Sequence, residues 1–503
     1  MPLARLRSVA FVGLDALSVD VEVDVHLVEE RQTLVIVGLP DAVIKESRDR
    51  VLAALRNSNL TLPPLHATIN LAPAQVRKEG VAYDLPIALG LLQSLGKLGP
   101  NPLLNEYLVA GELGLSGELR PIKGALALTL FAREKGLKGV LVPCSNGPEA
   151  AVVPGIQVIP IVSLAEAVAF IRDPSCIAPL KTTTFPKKVP QVVDFADIRG
   201  QSFAKRALEI AAAGEHNVLL WGPPGSGKTL LSRSLPSIMP DMTWEEALEV
   251  TRIHSIAGTF VPDQVVMQER PFRAPHHTVS GAGLVGGGSH PKPGEVSLAH
   301  HGVLFLDELT EFSANVLELL RQPLEDRKVS ISRAKSTISY PTRFLCIAAF
   351  NPCPCGYLGH PDKPCRDTEG QIKRYQGKIS GPLRDRFDLH LEVPVPKFDE
   401  LHGLPKGESS AAIKERVEAA RTLQRQRYGG TKTNSLMTIQ EINRYSVLTQ
   451  EGRSILKQAV ELKGLSARAS HRLLKMARTI ADLAGAESVQ EEHLLEAVQF
   501  SSS

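Results

Sequence analysis

The sequence predicts an α/β protein in three parts: an N-terminal α/β domain, a central α/β domain around a parallel sheet, and a C-terminal helical part. In the first 172 residues, β-rich runs such as Thr33–Val37 and Gly139–Pro143 alternate with amphipathic helical stretches. A glycine-rich loop joins the buried run Asn217–Trp221 to a helical stretch, and long helical periodicity dominates after Phe398. Alternating strands and helices favour a parallel sheet, whereas the final run favours a separate helical region.

Composition limits the classes of protein that fit. The 503 residues carry a net charge of +3, with 43% hydrophobic and 22% charged residues. This balance is typical of soluble globular domains, and it neither requires nor excludes nucleic acid as a partner. No apolar run approaches the roughly 20 residues of a membrane span, and the N-terminus lacks the apolar stretch of a signal peptide. We therefore expect a cytoplasmic protein without membrane contact.

Changes in composition predict four segments. An α/β domain spans residues 1–172, and a linker rich in proline, lysine and threonine spans 173–192. The central α/β domain spans 193–397, and the helical region spans 398–503. Within the last segment, periodicity predicts helices over Ser409–Arg427, Thr438–Val447, Gln450–Lys463, Ala467–Gly485 and Gln490–Phe500.

The glycine-rich loop has the strand–loop–helix setting of a phosphate-binding P-loop. Its predicted nucleotide-binding residues are Gly222, Pro223, Pro224, Gly225, Ser226, Gly227, Lys228 and Thr229. Glycines let backbone N–H groups turn toward phosphates at the positive end of a helix. We expect Lys228 to reach the β- and γ-phosphates of ATP, and Thr229 to ligate Mg²⁺.

An apolar run, Gly302–Leu306, ends in two acids. We expect Asp307 to hold the Mg²⁺ shell and Glu308 to polarise the attacking water. The plain alternative is a buried strand with acids at its exposed end. The P-loop upstream favours the catalytic interpretation.

Three of the six cysteines cluster in the sequence: Cys353, Cys355 and Cys365. His360 and Asp367 lie nearby, so either could complete a four-coordinate Zn²⁺ site. Free reduced cysteines in a loop are the other interpretation. Zinc bound in this way would be structural.

Several long motifs point to a family. The segment from 194 to 503 resembles the magnesium-chelatase-like branch of AAA+ ATPases, and the whole chain is similar to the ComM/YifB family. The motifs that carry the resemblance are Pro271–Ser280, Pro293–Gly302, Asn351–Gly356 and Ser380–Asp388. Such ATPases form hexameric rings, so the resemblance implies a homo-hexamer with ATP sites between subunits. It departs at Asp367, where relatives carry a further cysteine.

The resemblance also assigns residues around the nucleotide. It implies that Asn351, after the apolar strand Phe344–Phe350, helps to orient the attacking water. Arg386 matches the arginine that acts on a neighbouring subunit's ATP, with Arg384 as the alternative. Arg468 matches the sensor-2 arginine of the helical lid. Without the resemblance, solvated surface arginines would be the simpler interpretation.

DNA is the partner that the resemblance implies, because ComM is regarded as a helicase that drives branch migration in natural transformation. Residues 328–336 are expected to form a β-hairpin that carries Arg333 and Lys335 toward DNA phosphates in a central pore. The glycine-rich stretch Gly281–Gly288, too flexible for a core element, fits a second, mobile pore loop. A solvated basic hairpin and a surface loop without a role are the alternatives.

The N-terminal domain resembles the S5/Lon-protease-like α/β fold, on the evidence of Gly111–Leu126 and Gly136–Pro143. Lon uses a serine activated by a lysine. No serine lies near the matching Arg77–Pro86 segment, and Leu126 takes the place of the lysine. The sequence thus excludes Lon-type proteolysis, and Lys78 and Lys123 are expected to be solvated or to face nucleic acid.

These observations favour a Mg-ATP-driven DNA motor. One alternative is a protein-remodelling or chelatase-like ATPase that acts on a partner protein. Another is a nucleotide-gated scaffold without a motor role. The intact set of Lys228, Asp307, Glu308 and Arg386 argues against the scaffold.

Overall fold

A computed structural model describes residues 2–29, 32–76, 78, 80–99, 103–181, 193–260, 265–288, 292–333, 336–396 and 407–501. The chain divides into two units, each built from two stretches of sequence. The N-terminal unit contains Met1–Lys187 and Ala247–Met267, and the ATPase unit contains Lys188–Glu246 and Gln268–Ser503.

The strands and helices follow the alternation that the sequence predicts. The strands are β1 Ala4–Val12, β2 Asp15–Leu27, β3 Thr33–Val37, β4 Leu65–Ala72, β5 Tyr107–Val109, β6 Glu112–Leu113, β7 Leu119–Arg120, β8 Gly139–Pro143, β9 Gln157–Ile161, β10 Val218–Trp221, β11 Phe272–Arg273, β12 Gly286–Gly287, β13 Lys292–Pro293, β14 Val303–Leu306, β15 Lys328–Arg333, β16 Ser336–Pro341, β17 Leu345–Phe350 and β18 Leu389–Glu392. The helices are α1 Ala42–Asn57, α2 Asp84–Ser94, α3 Leu103–Glu106, α4 Ala125–Glu134, α5 Gly147–Ala150, α6 Leu164–Arg172, α7 Ser202–Gly214, α8 Lys228–Ser234, α9 Trp244–Ala257, α10 Gly281–Val285, α11 Glu295–Leu298, α12 Ala314–Leu319, α13 Arg321–Asp326, α14 Glu369–Gln376, α15 Gly381–Arg384, α16 Ser410–Tyr428, α17 Ile439–Tyr445, α18 Gln450–Lys463, α19 Ala467–Leu483 and α20 Glu491–Gln499.

A mixed sheet forms the N-terminal unit, with strand order β3-β4-β2-β1-β5-β8-β9. Strands β1 and β2 pair antiparallel along their length, from Ala4 opposite Val23 to Val12 opposite Asp15. In β2, valines alternate with acidic residues, and the valines are fully buried. This two-residue period is the pattern of a strand with one face in the core.

Part of helix α9 belongs to the N-terminal unit, although it lies within the central segment of the sequence. The Ser255 hydroxyl accepts a hydrogen bond from the Gly124 N–H group at 3.0 Å and donates to the Glu149 carboxylate. Glu149 also accepts the Leu126 N–H group at 3.0 Å. Burial raises the pKa of Glu149, and these hydrogen bonds oppose the rise. Residues 247–257 are therefore integral to this unit.

The expectation that Lys78 is solvated or faces nucleic acid is wrong. Lys78 is fully buried, and its Nζ atom donates to the carbonyl oxygens of Gly38, at 3.2 Å, and Pro73. Burial lowers the pKa of Lys78. A buried ammonium must be hydrogen-bonded to be tolerated. Lys78 therefore links the loops that contain Gly38 and Pro73. Lys123 is exposed, as expected.

The ATPase unit contains the parallel sheet that the sequence predicts, in the order β11-β14-β17-β10-β18. Trp221 at the end of β10 pairs with Phe350 of β17, and Leu306 of β14 pairs with Ala348 of β17. Because neighbouring parallel strands end on the same edge, the residues after them converge there.

The C-terminal helices confirm the predicted helical region, within two residues at each end. Four of the five are N-capped by a side chain, from Ser409, Thr438, Thr449 and Ser466. Helices α16 and α19 bury apolar residues in the core of the ATPase unit, including Val417 and Ile480. Among the described residues, no helix has both the length and the apolarity to cross a membrane.

The prediction that Gly281–Gly288 is too flexible to contain a core element is wrong. Its first residues form helix α10, capped by the Ser280 hydroxyl, and Leu284 is fully buried. Gly286 and Gly287 pair with Lys292 and Pro293 as β12–β13. Serine capping and one buried leucine outweigh the helix-breaking tendency of the glycines.

Candidate active site

The P-loop lies between strand β10 and helix α8. At Gly222 an added Cβ atom would lie 2.1 Å from the carbonyl oxygen of Val393, so only glycine fits. Gly225 and Gly227 have φ angles of +80° and +90°, which favour glycine. Helix α8 then begins at Lys228. The loop backbone is thereby held at a helix N-terminus, where N–H groups bind phosphate.

The ends of three neighbouring strands bring the predicted groups together. Thr229 donates its hydroxyl hydrogen to Oδ2 of Asp307 at 2.8 Å. The Nζ atom of Lys228 lies 3.3 Å from Oδ1 of Asn351. Asp307 follows β14 and Asn351 follows β17, so the sheet order explains both contacts. The roles predicted for these residues now have a common location.

Lys228 is held by the loop that it follows. Its ammonium donates to the carbonyl oxygens of Gly222, at 2.7 Å, and Pro223, at 3.0 Å. Burial lowers the pKa of Lys228, and the charge of Asp307 opposes the shift. The ammonium is thus kept at the loop.

The pair Thr229–Asp307 fits a Mg²⁺ ion. Neighbouring ligands of octahedral Mg²⁺, bound at about 2.1 Å, lie about 3.0 Å apart. The 2.8 Å separation of Thr229 Oγ1 and Asp307 Oδ2 is close to that value. Hydroxyl and carboxylate oxygens are also the hard ligands that Mg²⁺ prefers.

Glu308 has an unusual backbone and an imidazole neighbour that sequence reasoning missed. Its φ angle is +51°, in the left-handed region that non-glycine residues rarely adopt. Oε2 of Glu308 lies 3.3 Å from Nδ1 of His277. Strand β11 pairs with β14, which places the segment after β11 beside the end of β14. Arg273, in β11, is anchored by two hydrogen bonds to Glu295, at 2.7 and 2.8 Å.

His277 could have been singled out from the motif Pro271–Ser280, but nothing local in the sequence shows which strand this motif joins. The pairing of Arg273 with Leu304 supplies that information. The His277 ring also packs edge-on against Phe312, with ring centroids 6.4 Å apart. His277 is therefore oriented by its contacts with Glu308 and Phe312.

The predicted arginines occupy different settings. Arg386 pairs with Glu325, and its side chain is 13% exposed. The Asn217 side chain donates to the Arg386 carbonyl oxygen at 3.0 Å, and the Asn217 N–H group donates to Asp388 at 3.1 Å. These bonds tie the Arg386 loop to the residue that precedes β10. Arg384, the alternative, is half-buried at the end of α15.

Arg468 is exposed in the first turn of α19, after the N-cap Ser466. The predicted hairpin is confirmed as β15 and β16, whose register pairs Arg333 with Ser336. Lys335 lies outside the described residues, and only the backbone of Arg333 is described. The hairpin thus has the expected fold, while its contact with DNA stays a prediction.

The cysteine cluster is close-packed. The Sγ atoms of Cys353, Cys355 and Cys365 lie 3.5 to 3.6 Å from one another. Asp367, rather than His360, completes the group of candidate ligands. The loop that carries them begins directly after Asn351.

Strand order and the placement of these groups are those of a P-loop ATPase of the AAA+ type. Three family models match the chain. They are magnesium chelatase, subunit ChlI, over residues 194–401; subunit ChlI of Mg-chelatase, over residues 21–146; and the C-terminal part of magnesium chelatase subunit ChlI, over residues 407–501.

Full-length relatives agree. The chain is 41% identical to the competence protein ComM of Haemophilus influenzae, over 99% of this chain and 97% of that protein. It is 42% identical to the uncharacterized protein YifB of Escherichia coli, with the same coverage. Lon protease 2 of Bacillus subtilis is 31% identical over 33% of this chain and 30% of its own length. The chain belongs to the magnesium-chelatase-like AAA+ ATPase family, with ComM and YifB. The family's nucleotide and metal are ATP and Mg²⁺.

Proposed function

We propose that this chain is the subunit of a ring-forming DNA motor driven by Mg-ATP, and that it acts as a helicase that promotes branch migration. The supporting observation is the convergence of Lys228, Thr229, Asp307, Glu308 and Asn351 at one sheet edge. The relative from H. influenzae is named for competence, which supports a DNA-related role and, with it, recombination during natural transformation.

Each residue of the site has its own role in ATP hydrolysis. The P-loop backbone and Lys228 bind the phosphates, while Thr229 and Asp307 would hold Mg²⁺, which neutralises charge on the β- and γ-phosphates when bound. Glu308 accepts a proton from the attacking water, whose oxygen bonds to the γ-phosphorus as the bond to the ADP oxygen breaks. Asn351 orients that water. His277 positions the carboxylate of Glu308.

Assembly into a ring would give Arg386 and Arg468 their roles. Arg386 would reach the ATP of a neighbouring subunit and stabilise the charge of the transition state. To do so it must leave Glu325, with which it pairs here. Arg468, exposed on the first turn of α19, is free to approach nucleotide as the lid closes.

Contact with DNA would fall to the β15–β16 hairpin. Arg333 is the last residue of β15, and Lys335 follows it two residues later in the sequence. One or two cations per subunit, repeated around a homo-hexamer, would contact successive phosphates without reading sequence.

A second candidate is supported by the family models, which are named for magnesium chelatase. In this second function, the ATPase would remodel a partner protein. A nucleotide-gated scaffold without turnover is a third reading, and the intact catalytic set argues against it.

Steady-state ATPase measurements, with and without single-stranded and four-way-junction DNA, separate these functions. The motor predicts strong stimulation, greatest with the junction, that weakens as salt rises because phosphate contacts are screened. Turnover that no DNA changes would favour a protein substrate. Absence of turnover would favour the scaffold.

A further inference from the structure

Three thiols and one carboxylate meet in the loop between Asn351 and helix α14. The three Sγ–Sγ distances are 3.5, 3.6 and 3.6 Å, and Cys365 Sγ lies 3.7 Å from Asp367 Oδ2. All four candidate ligand atoms lie within 4.8 Å of one another. Three nearly equidistant sulfurs are not the geometry of a disulfide, which joins two sulfurs at about 2.05 Å.

The spacing matches the edges of a coordination tetrahedron. Zinc–sulfur bonds of about 2.3 Å give sulfur–sulfur edges of about 3.8 Å, and a zinc–oxygen bond of about 2.1 Å gives a sulfur–oxygen edge of about 3.6 Å. Each measured distance lies within 0.3 Å of its ideal edge, since the measured values run from 3.5 to 3.7 Å.

Hydrogen bonds orient the ligands. The Cys355 N–H group donates to Oδ2 of Asp367 at 2.8 Å, and the Leu358 N–H group donates to Sγ of Cys353 at 3.3 Å. Such bonds stabilise anionic ligands and fix their direction. His360 is differently engaged, because its Nδ1 atom accepts the N–H groups of Asp362 and Lys363 at 3.0 and 3.1 Å.

We propose that Cys353, Cys355, Cys365 and Asp367 bind one structural Zn²⁺ ion. Three thiolates favour a thiophilic metal, and the tetrahedral arrangement favours zinc over metals with octahedral or square-planar preferences. Four protein ligands leave no position for water, so the metal has no part in the reaction itself.

The proposed zinc site lies in a loop that packs against the P-loop. Cys353 comes two residues after Asn351, and the Gln376 side chain donates to the Pro352 carbonyl oxygen at 2.8 Å. At Gly356 an added Cβ atom would lie 2.8 Å from Cδ of Pro224 in the P-loop. Zinc would therefore fix the loop that carries Asn351 against the P-loop.

The test is the metal content of the full-length chain purified without chelator, measured by mass spectrometry. We expect about one zinc per chain. Replacement by Co²⁺ should give intense thiolate-to-cobalt absorption in the near ultraviolet and tetrahedral bands in the visible. Cys355→Ser and Asp367→Ala should each weaken zinc binding at least tenfold in a chelator competition. Asp367→Cys should retain it.

Matched controls keep the test decisive if a variant folds poorly. Cys144→Ser alters an exposed cysteine outside the cluster, and His360→Ala alters the rejected ligand. Both should keep zinc and the cobalt spectrum. Zinc below a tenth of the protein concentration even after zinc is supplied, iron with sulfide in its place, or loss of zinc in His360→Ala but not in Asp367→Ala would each overturn the proposal. Because the readout is metal content, it stands apart from the result of the DNA-stimulation experiment.

Discussion

The Nδ1 atom of His277 lies 3.3 Å from Oε2 of Glu308, which joins the motif after β11 to the acid that follows β14. Glu308 has the strained φ angle of +51°, and strain of this kind is retained where the surroundings fix it. The segment that contains His277 continues into helix α10, the start of the predicted second pore loop. His277 thus lies between the proposed water-activating group and helix α10.

Replacing His277 by alanine should lower the kcat of ATP hydrolysis by about three- to tenfold, because Glu308 loses a contact that positions it. Binding of a fluorescent ATP analogue should be unchanged. His276→Ala is the control, since the His276 ring bonds to Thr278 at 2.9 Å instead. Equal losses in both variants would rule out a specific role for His277.

Lys228→Ala should abolish nucleotide binding, because the loop loses its buried ammonium. Glu308→Gln should bind ATP normally and lower kcat by about 100-fold or more, because an amide does not accept the proton from water. Equilibrium binding and single-turnover hydrolysis measure the two effects. Wild-type turnover in Glu308→Gln would reject the proposed base.

Arg386→Ala should lose hydrolysis yet regain part of it when mixed with Lys228→Ala subunits, since a mixed ring pairs an intact loop with an intact arginine. Arg384→Ala is the matched control and should keep most activity. If instead Arg384→Ala lost hydrolysis and was the only variant that mixing rescued, Arg384 would be the arginine that acts on the neighbouring subunit's ATP. In addition, Glu325→Gln should free Arg386 and leave kcat equal to or above that of the wild type.

Arg333→Ala should keep basal ATPase activity and lose its stimulation by single-stranded DNA. Lys328→Ala, an exposed cation at the other end of the same strand, provides the control. Binding titrations at two salt concentrations should show a shallower salt dependence for Arg333→Ala only. Full stimulation in Arg333→Ala would remove the hairpin from the DNA interface.

Glu215 stabilises the ATPase unit through buried ion pairs with Arg343, at 3.0 Å, and Arg421, at 3.3 Å. Burial alone would raise the pKa of Glu215, but the two arginines outweigh it and lower the pKa. Because the folded-state pKa lies below the unfolded value of about 4.3, this stabilisation is complete above that pH and is lost as the pH falls toward the folded-state pKa.

Glu215→Gln should therefore lower the free energy of unfolding by about 3 kcal/mol at neutral pH, and the loss should shrink in acid. Chemical denaturation followed across pH measures this. Glu461→Gln, in the exposed pair with Lys457, should change the unfolding free energy by less than about 0.5 kcal/mol. Equal effects of the two substitutions would contradict the buried-pair explanation.

The sequence predicted the elements whose signals are local. The strand–loop–helix at Gly222–Thr229 and the C-terminal helices depend on glycine placement, apolar periodicity and capping residues within a few positions. The acidic pair after β14 was also visible, because an apolar strand ends there.

Features that depend on distant pairing were not visible. The contact of His277 with Glu308 requires knowing that β11 lies beside β14. Lys78 looks like a surface lysine until the carbonyl groups of Gly38 and Pro73 close around it. Likewise, the choice of Asp367 over His360 follows from loop geometry, because both residues lie near the cysteines in sequence.

The docking of Ser255 against Glu149 means that one cut cannot separate the two units. A fragment ending before residue 193 would leave the Glu149 carboxylate without the Ser255 hydroxyl, and the complementary fragment would carry Val250 and Ile253, both buried in the whole protein, without their own unit. If deleting the first 190 residues abolished activity, the loss could therefore come from damage to the remaining ATPase fragment as well as from the absence of the N-terminal unit. Substitutions within the intact chain are the sounder way to ask what the N-terminal unit does.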